Sequence, residues 1–230
     1  MIVVVGSPVA LVVNERAEMA GLASWIAAAA ATAGAAVQLV GRVGEDEAGD
    51  RILLDLAAAG VSHVAVLREP GRPTPVVPAT RPRDRDADPT PIDVLADEEA
   101  EFADDPVDGR APAGPAGLSI DAGDLQLALR YVPDYRVLIV AAVLDAPALR
   151  AVVAAADWSG AQLVVVLPAN DAAPPELPDR AVVFQEPGSD SEGAFASMVG
   201  AFAVALDRGD EPQAAFVTAQ RTGGWSAVAD

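Results

Sequence analysis

The chain has 230 residues, a formal net charge of −19, no cysteine and no lysine, so all fifteen basic residues are arginine. Without cysteine, disulfides, thiolate nucleophiles and thiolate metal sites are excluded. Without lysine, Schiff-base chemistry and a phosphate-binding P-loop lysine are excluded as well. The negative charge disfavours nucleic acid and anionic membranes as partners, because phosphate neutralisation needs clustered cations. The sequence shows neither a signal peptide nor a membrane-spanning apolar run, so we expect a cytoplasmic protein.

The first third of the chain alternates buried-strand patterns with helical ones. Continuous apolar runs predict strands, and alanine-rich or amphipathic stretches predict helices. In chain order the predicted elements are strand Ile2–Gly6, helix Ala17–Ala33, strand Val37–Val43, helix Glu47–Ala59 and strand His63–Leu67. This β-α-β-α-β order predicts a parallel sheet with right-handed crossovers.

An acidic, proline-rich segment then interrupts the pattern, with eleven Asp or Glu between Arg81 and Arg110. Its composition predicts a mobile loop over residues 81–117, preceded by a short edge strand at Pro75–Ala79. Regular structure resumes at Ser119. The remaining predicted elements are helices Ala122–Tyr131, Pro147–Trp158, Glu192–Arg208 and Gln213–Arg221, and strands Val137–Val143, Leu163–Leu167 and Ala181–Gln185. We interpret residues 1–230 as one domain.

A motif after the second predicted strand identifies a family resemblance. Residues 41–49 read GRVGEDEAG, and the helix that follows closes with Ala59-Gly60-Val61. This resembles the ribokinase, or PfkB, family of carbohydrate kinases, where a strand ends in G-x-V-G-x-D-x-x-G and the next helix closes with A-G-V. The resemblance implies a three-layer α/β/α, ribokinase-like fold with a mainly parallel central sheet.

Most positions of the family's sugar site that can be matched are altered. The opening strand of the family runs into N-x-D, whose aspartate holds sugar hydroxyls, and the matching triplet here ends in Ala10. The family's G-G-x-G-A-N motif corresponds to residues 20–25, where Gly21 is kept and Trp25 replaces the asparagine. Only Val12–Met19 lies between these segments, so we expect the family's small β-sheet lid to be absent.

The family's catalytic loop, D-T-x-G-A-G-D-x-F-x-G-A, corresponds to residues 190–201. Phe195 takes the place of its third glycine, and Ala196 takes the place of the aspartate that accepts the proton of the attacking hydroxyl. The resemblance therefore implies no catalytic residue in the base position. The remainder of the motif is matched by Asp190, Ser191, Gly193 and Ala194. We weigh two roles for these residues: a residual anion or nucleotide site, or a helix cap only.

These replacements predict a catalytically degenerate, non-enzymatic pseudokinase that acts by binding a protein partner or itself. One alternative is a divergent ATP-dependent sugar or nucleoside kinase that uses Asp190 or Glu192 as base, with ATP and Mg²⁺ as cofactors. Another is a nucleotide- or small-ligand-binding regulator without turnover. Under the leading interpretation we expect no cofactor and no metal site, because the family's magnesium motif, N-x-x-E, has no counterpart. We interpret the single histidine, His63, and the acidic cluster at residues 97–105 as ordinary surface groups.

Overall fold

The computed structural model describes residues 1–13, 16–78, 118–132, 134–188 and 193–222. The strands are β1 Ile2–Val5, β2 Val9–Val13, β3 Arg16–Ala20, β4 Val37–Gly44, β5 Val61–Glu69, β6 Val76–Pro78, β7 Val137–Val140, β8 Gln162–Leu167 and β9 Val182–Gln185. The helices are α1 Leu22–Thr32, α2 Glu47–Ala58, α3 Ala122–Tyr131, α4 Ala146–Ser159, α5 Ala194–Arg208 and α6 Pro212–Thr222.

Six strands form the central sheet in the order β5-β4-β1-β7-β8-β9, and every neighbouring pair is parallel. The strands in the middle, β1 and β7, are buried along their whole length. Continuous apolar strands of this kind are typical of a parallel sheet covered on both faces. The predicted fold class, an α/β fold with a mainly parallel central sheet, is confirmed.

Helices cover both faces of this sheet and give it a three-layer arrangement. On one face, α1, α2, α5 and α6 pack against the side chains of Ile2, Val4 and Leu39. On the other face, α3 and α4 pack against Val3 and Val5. Alternate residues of β1 therefore enter opposite cores, as the pleat of a strand requires.

A second, three-stranded sheet in the order β3-β2-β6 corrects the expectation that no small sheet would form. β2 and β3 form an antiparallel hairpin, and β6 joins β2 in parallel. The sequence predicted a helix from Ala17, but burial alternates along β3 and the helix begins only after Gly21. Gly21 has φ 96°, a backbone conformation that favours glycine and ends the strand. The alanine-rich composition concealed this short strand.

The other boundaries differ from prediction by a few residues. The predicted edge strand at Pro75–Ala79 exists as β6, but it belongs to the small sheet and not to the central one. The last long helix begins at Ala194, and Glu192, its predicted start, lies outside the described residues. The predicted mobile loop at 81–117 lies outside the described residues, and the interpretation of 1–230 as one domain stays a prediction.

Candidate functional site

The candidate site lies at the carboxyl edge of the central sheet. From β1 the chain proceeds to β4 and β5 on one side, and β7, β8 and β9 follow on the other. In doubly wound α/β folds, ligands bind outside the carboxyl ends of the strands where the strand order reverses. The reversal here falls between β1 and β7, so their carboxyl ends mark where a ligand would be expected.

At this point the backbone is closely packed. A Cβ placed on Gly6, directly after β1, would lie 2.6 Å from the Cβ of Ala23 and 2.8 Å from the carbonyl oxygen of Ala141. A Cβ on Gly41 would lie 2.6 Å from the carbonyl oxygen of Gly6. Real Cβ atoms do not approach other atoms so closely, so both positions require glycine. The two glycines let β1, β4, β7 and α1 approach one another closely.

The Gly44-Glu45-Asp46 part of the family motif organises the turn from β4 into α2. The Asp46 carboxylate accepts a hydrogen bond from the Gly49 N–H at 2.8 Å. It also accepts two hydrogen bonds from Thr74, one from the N–H at 2.7 Å and one from the hydroxyl at 2.6 Å. The Gly44 N–H in turn donates to the Thr74 hydroxyl oxygen at 2.9 Å. Thr74 is buried and leads into β6. This network connects the small sheet to the central sheet. No motif in the sequence pointed to Thr74.

These contacts set the protonation behaviour of Asp46. Burial alone would raise the pKa of its carboxyl, but hydrogen bonds from Thr74 and Gly49 and the positive charge of Arg68 outweigh it, so the pKa lies below its ordinary value. The carboxylate is therefore held ionised as a structural acceptor. Its role in the described structure is positional.

Arg42 lies near the carboxyl end of β4, and carboxylates surround it. Its guanidinium contacts Glu69 at 3.1 Å, Asp121 at 3.5 Å, and Asp124. Burial would lower the pKa of Arg42, but hydrogen bonds and charge from Asp124 and Glu69 raise it. Two to three negative charges already neutralise this arginine, so it is poorly placed to bind a phosphate group.

The start of α5 carries the positions that matter most for phosphotransfer in the family. Phe195 is 3% exposed and Ala196 is 1% exposed. The Phe195 ring meets Phe184 of β9 edge to face, with ring centroids 6.5 Å apart. Gly193 is the cap residue with φ 66° and offers no side chain for capping. The first turn of α5 is thus part of an apolar core.

An open cleft of about 400 Å³ separates the start of α5 from α1. Trp25, which is 39% exposed, lies on one wall and Ala196 on the other. The remaining lining residues are Ala28, Ala29, Thr32, Gly193 and Ser197. Below the cleft the helices touch, since a Cβ on Gly200 would lie 2.9 Å from the Cβ of Ala29. Among the described residues of this lining, the polar side-chain groups are the hydroxyls of Thr32 and Ser197 and the indole N–H of Trp25.

The structure brings some of the predicted site residues together and separates others. Trp25, Gly193 and Ala196 share the cleft, with Ala194 in the same first turn. Gly21 is the cap residue of α1. Ala10 is fully buried within β2, paired with Met19 and Val76, so it is part of the small sheet's framework. Asp190, Ser191 and Glu192 lie outside the described residues.

Two further groups singled out in the sequence are His63 and the acidic cluster at residues 97–105. His63 lies in β5, and its Nδ1 is buried without a hydrogen-bond partner among the described residues. The acidic cluster at 97–105 lies outside the described residues. Within residues that are described, no group of three or more His, Cys, Asp or Glu could hold a metal ion. None of the described helices combines the length and the apolar run that crossing a bilayer requires.

A larger cavity of about 620 Å³ opens at the end of the sheet formed by β9. Phe184, Phe202 and Phe216 contribute aromatic rings to its wall, and Leu167, Val182 and Pro212 extend the apolar surface. Phe184 packs edge to face on Phe202, with ring centroids 5.1 Å apart, and stacks on Phe216. This aromatic cluster was not predicted, because its members lie far apart in the sequence.

Comparison with known proteins confirms the predicted resemblance. Residues 5–95 match the family model described as pfkB family carbohydrate kinase. No curated protein sequence matches the chain. The resemblance therefore rests on the first part of the chain and on the fold.

Solved structures with the same fold cover nearly the whole chain. A ribokinase from Arabidopsis thaliana, solved with ribose and ATP, is 16% identical, with a TM-score of 0.63 over 96% of this chain and 90% of that one. An aminoimidazole riboside kinase from Salmonella enterica is 14% identical, with a TM-score of 0.61 over 100% and 94% of the two chains. A PfkB protein from Polaromonas sp. JS666 is 16% identical, with a TM-score of 0.62 over 96% and 94%. At these identities the likeness shows the fold.

Proposed function

We propose that this chain, which has the ribokinase-like fold and matches the pfkB family over residues 5–95, is a pseudokinase that acts through binding and not through phosphotransfer. The observation that carries the proposal is the first turn of α5. At the position of the family's base stands Ala196, and it is 1% exposed beside Phe195, which is also buried. A methyl group cannot accept a proton.

These replacements remove two contributions to the rate of phosphotransfer. Proton transfer by a positioned general base contributes about 10²–10⁴-fold to rate. Backbone N–H groups at a helix start stabilise a transferring phosphoryl group only if the phosphate can approach them. Phe195 occupies the position of the family's third glycine, and its ring is packed against Phe184. The base and the close approach are therefore both replaced by apolar packing.

The acceptor side supports the same proposal. Ala10 is a buried strand residue, and its methyl group offers nothing to a sugar hydroxyl. Trp25 takes the place of the family's asparagine and forms a wall of the cleft. Neither side chain carries an oxygen that could accept a hydrogen bond from a sugar hydroxyl and orient it for attack.

The cleft itself favours a second candidate function, which is the binding of a small ligand without turnover. Its volume of about 400 Å³ falls in the range of small-molecule sites. An exposed indole over a floor of alanines suits a flat, weakly polar group better than a sugar. In a divergent kinase, the other alternative, Asp190 or Glu192 would have to act as base.

One experiment separates these functions. We would measure heat on titrating ATP with Mg²⁺, and then nucleosides, into the wild type, Trp25→Ala and Trp158→Ala. Trp158 is 92% exposed on α4 and serves as the matched control. The pseudokinase proposal expects no ATP turnover in any variant. Binding lost in Trp25→Ala and kept in Trp158→Ala would support the small-ligand function, and binding with steady ATP consumption would overturn both.

A further inference from the structure

The cleft between α1 and α5 presents one exposed aromatic ring beside small side chains. Trp25 of α1 is 39% exposed, and Ala28 and Ala29 line the cleft next to it. An indole offers a large flat apolar face and a single N–H at its edge. Aromatic rings pair best when they stack with an offset or meet edge to face. The ring of Trp25 therefore favours a planar aromatic ligand.

The spacing of the lining residues along α1 sets the length of this ligand. Thr32 lies seven residues after Trp25, and both line the cleft. At a rise of 1.5 Å per residue, the two positions are about 10 Å apart along the helix axis. A ligand that stacks on Trp25 and also reaches the Thr32 hydroxyl must be longer than one ring. This distance indicates a ligand of two fused rings.

Two hydroxyls in the lining are available to such a ligand. Thr32 of α1 and Ser197 of α5 are exposed, and neither side chain makes a hydrogen bond to another described residue. Many helical hydroxyls bond instead to a carbonyl of the preceding turn, as the Ser159 hydroxyl does with the Ala155 carbonyl oxygen at 2.9 Å. Each of the two hydroxyls can donate and accept. They match a ring edge that carries both an acceptor and a donor.

The described residues that line the cleft carry no charged side chain. The two helical segments that form it, Leu22–Thr32 and residues 194–206, contain no Asp, Glu or Arg. The start of α5 has the partial positive charge of a helix N-terminus, which favours an anion. The net charge of −19 repels one. Because an ionised group without a partner of opposite charge is costly to desolvate, we expect an uncharged ligand.

A sugar matches this lining poorly. It carries a hydroxyl on most of its carbons, and each of these groups needs a hydrogen-bond partner once water is removed. The polar side-chain groups of the described lining are two hydroxyls and one indole N–H. A heteroaromatic ring with a lactam edge needs one acceptor and one donor, which the hydroxyls of Thr32 and Ser197 supply.

We propose that the cleft between α1 and α5 binds an uncharged two-ring heteroaromatic molecule, which stacks on Trp25 and hydrogen-bonds through its edge to Thr32 and Ser197. This proposal rests on the small-ligand function proposed above and names the ligand class. Its test measures binding at Trp25 and not turnover. ATP consumption would overturn the proposed function and leave the measured ligand class unchanged. A cleft that binds no heteroaromatic would leave the pseudokinase proposal standing.

The indole N–H of Trp25 provides a local readout in ¹H–¹⁵N spectra. Its signal is the one lost in Trp25→Phe, and the indole of Trp158, which is 92% exposed on α4, is the internal control. We would titrate the wild type with hypoxanthine and quinazolin-4-one as neutral probes, with purine-6-carboxylate as an anion on the purine rings, and with ribose. We expect a saturable shift at Trp25, and none at Trp158, with a neutral probe. No shift at Trp25 with either neutral probe, or equally tight binding of purine-6-carboxylate or ribose, would overturn the proposal.

Substitutions in the lining separate stacking from hydrogen bonding, with affinity measured by titration calorimetry. Trp25→Ala should weaken binding of the neutral probe at least about fivefold, because the stacking surface is lost. Ser197→Ala and Thr32→Val should each weaken it about two- to tenfold, because one hydrogen bond is lost. Ser159→Ala removes a hydroxyl from α4 and is the matched control, which should bind as wild type. Wild-type affinity in Trp25→Ala, or equal effects of Ser197→Ala and Ser159→Ala, would contradict the proposal. Thermal melting confirms that each variant is folded.

Discussion

The Asp46 carboxylate accepts two hydrogen bonds from Thr74, one from the hydroxyl at 2.6 Å and one from the N–H at 2.7 Å. Because the same hydroxyl oxygen accepts the Gly44 N–H, the pair connects the end of β4, the start of α2 and the approach to β6. The motif residue that the sequence identified is thus a structural junction between the two sheets.

Replacing Thr74 by valine should destabilise the protein. The isosteric change leaves the Gly44 N–H buried without its acceptor, and an unsatisfied buried group costs about 1–3 kcal/mol. We would measure the free energy of unfolding in urea. Thr32→Val at the exposed end of α1 is the control and should change stability by less than about 0.5 kcal/mol. Equal effects of the two substitutions would show that the junction contributes little.

Acid should weaken the same junction. The pKa of Asp46 is lower in the folded protein than its ordinary value of 3.8, so its contribution is present above about pH 4 and is lost as pH falls through the folded pKa. We expect Asp46→Asn to be less stable than wild type at neutral pH, with a smaller loss of stability between about pH 4 and pH 2. Urea unfolding at each pH tests this. Parallel pH profiles for the two proteins would show that Asp46 has no depressed pKa.

The contact between α1 and α5 depends on the glycine at position 200. Its Cβ would lie 2.9 Å from the Cβ of Ala29 and 3.1 Å from the Ala30 nitrogen, so Gly200→Val should push the helices apart and cost about 1–3 kcal/mol. Gly188→Ala is the control, because nothing lies within 4 Å of a Cβ there. Thermal melting compares them. An unchanged melting temperature in Gly200→Val would show that α1 and α5 can move apart without loss of stability.

Restoring single family residues should not restore chemistry. Ala196→Asp would place a carboxylate at a position that is 1% exposed, which destabilises the fold or raises the pKa of the new group. Phe195→Gly removes a buried ring from the contact with Phe184 and should cost about 3–5 kcal/mol. We expect neither variant nor the double variant to transfer phosphate. Unfolding free energies together with ATP consumption test both statements, and a stable, active Ala196→Asp variant would contradict them.

Local patterns were sufficient to predict most of the central sheet. β1 and β7 are continuous apolar runs, and such runs specify a buried parallel strand without help from distant residues. β3 was missed because Ala17 and Ala20 favour a helix by propensity, whereas pairing with β2 decides the outcome. Tertiary context overrode the local preference there.

Like the fold, the candidate site could be predicted from the sequence only in part. The replacements at Phe195 and Ala196 are visible in a motif, so the altered catalytic position could be identified from sequence alone. Thr74 lies 28 residues beyond Asp46 in the chain and belongs to no motif, and the cluster of Phe184, Phe202 and Phe216 forms only when β9, α5 and α6 pack together. Contacts between segments distant in the chain leave no periodic signal.

The most direct test of the central claim is ATP consumption by the purified wild-type protein with Mg²⁺ against a panel of pentoses, hexoses and nucleosides. With Ala196 in place of the base, we predict no consumption above the background measured without protein. Turnover near 1 s⁻¹, within the ordinary range for enzymes, on any substrate of the panel would contradict the account and establish a kinase that draws its base from elsewhere in the chain.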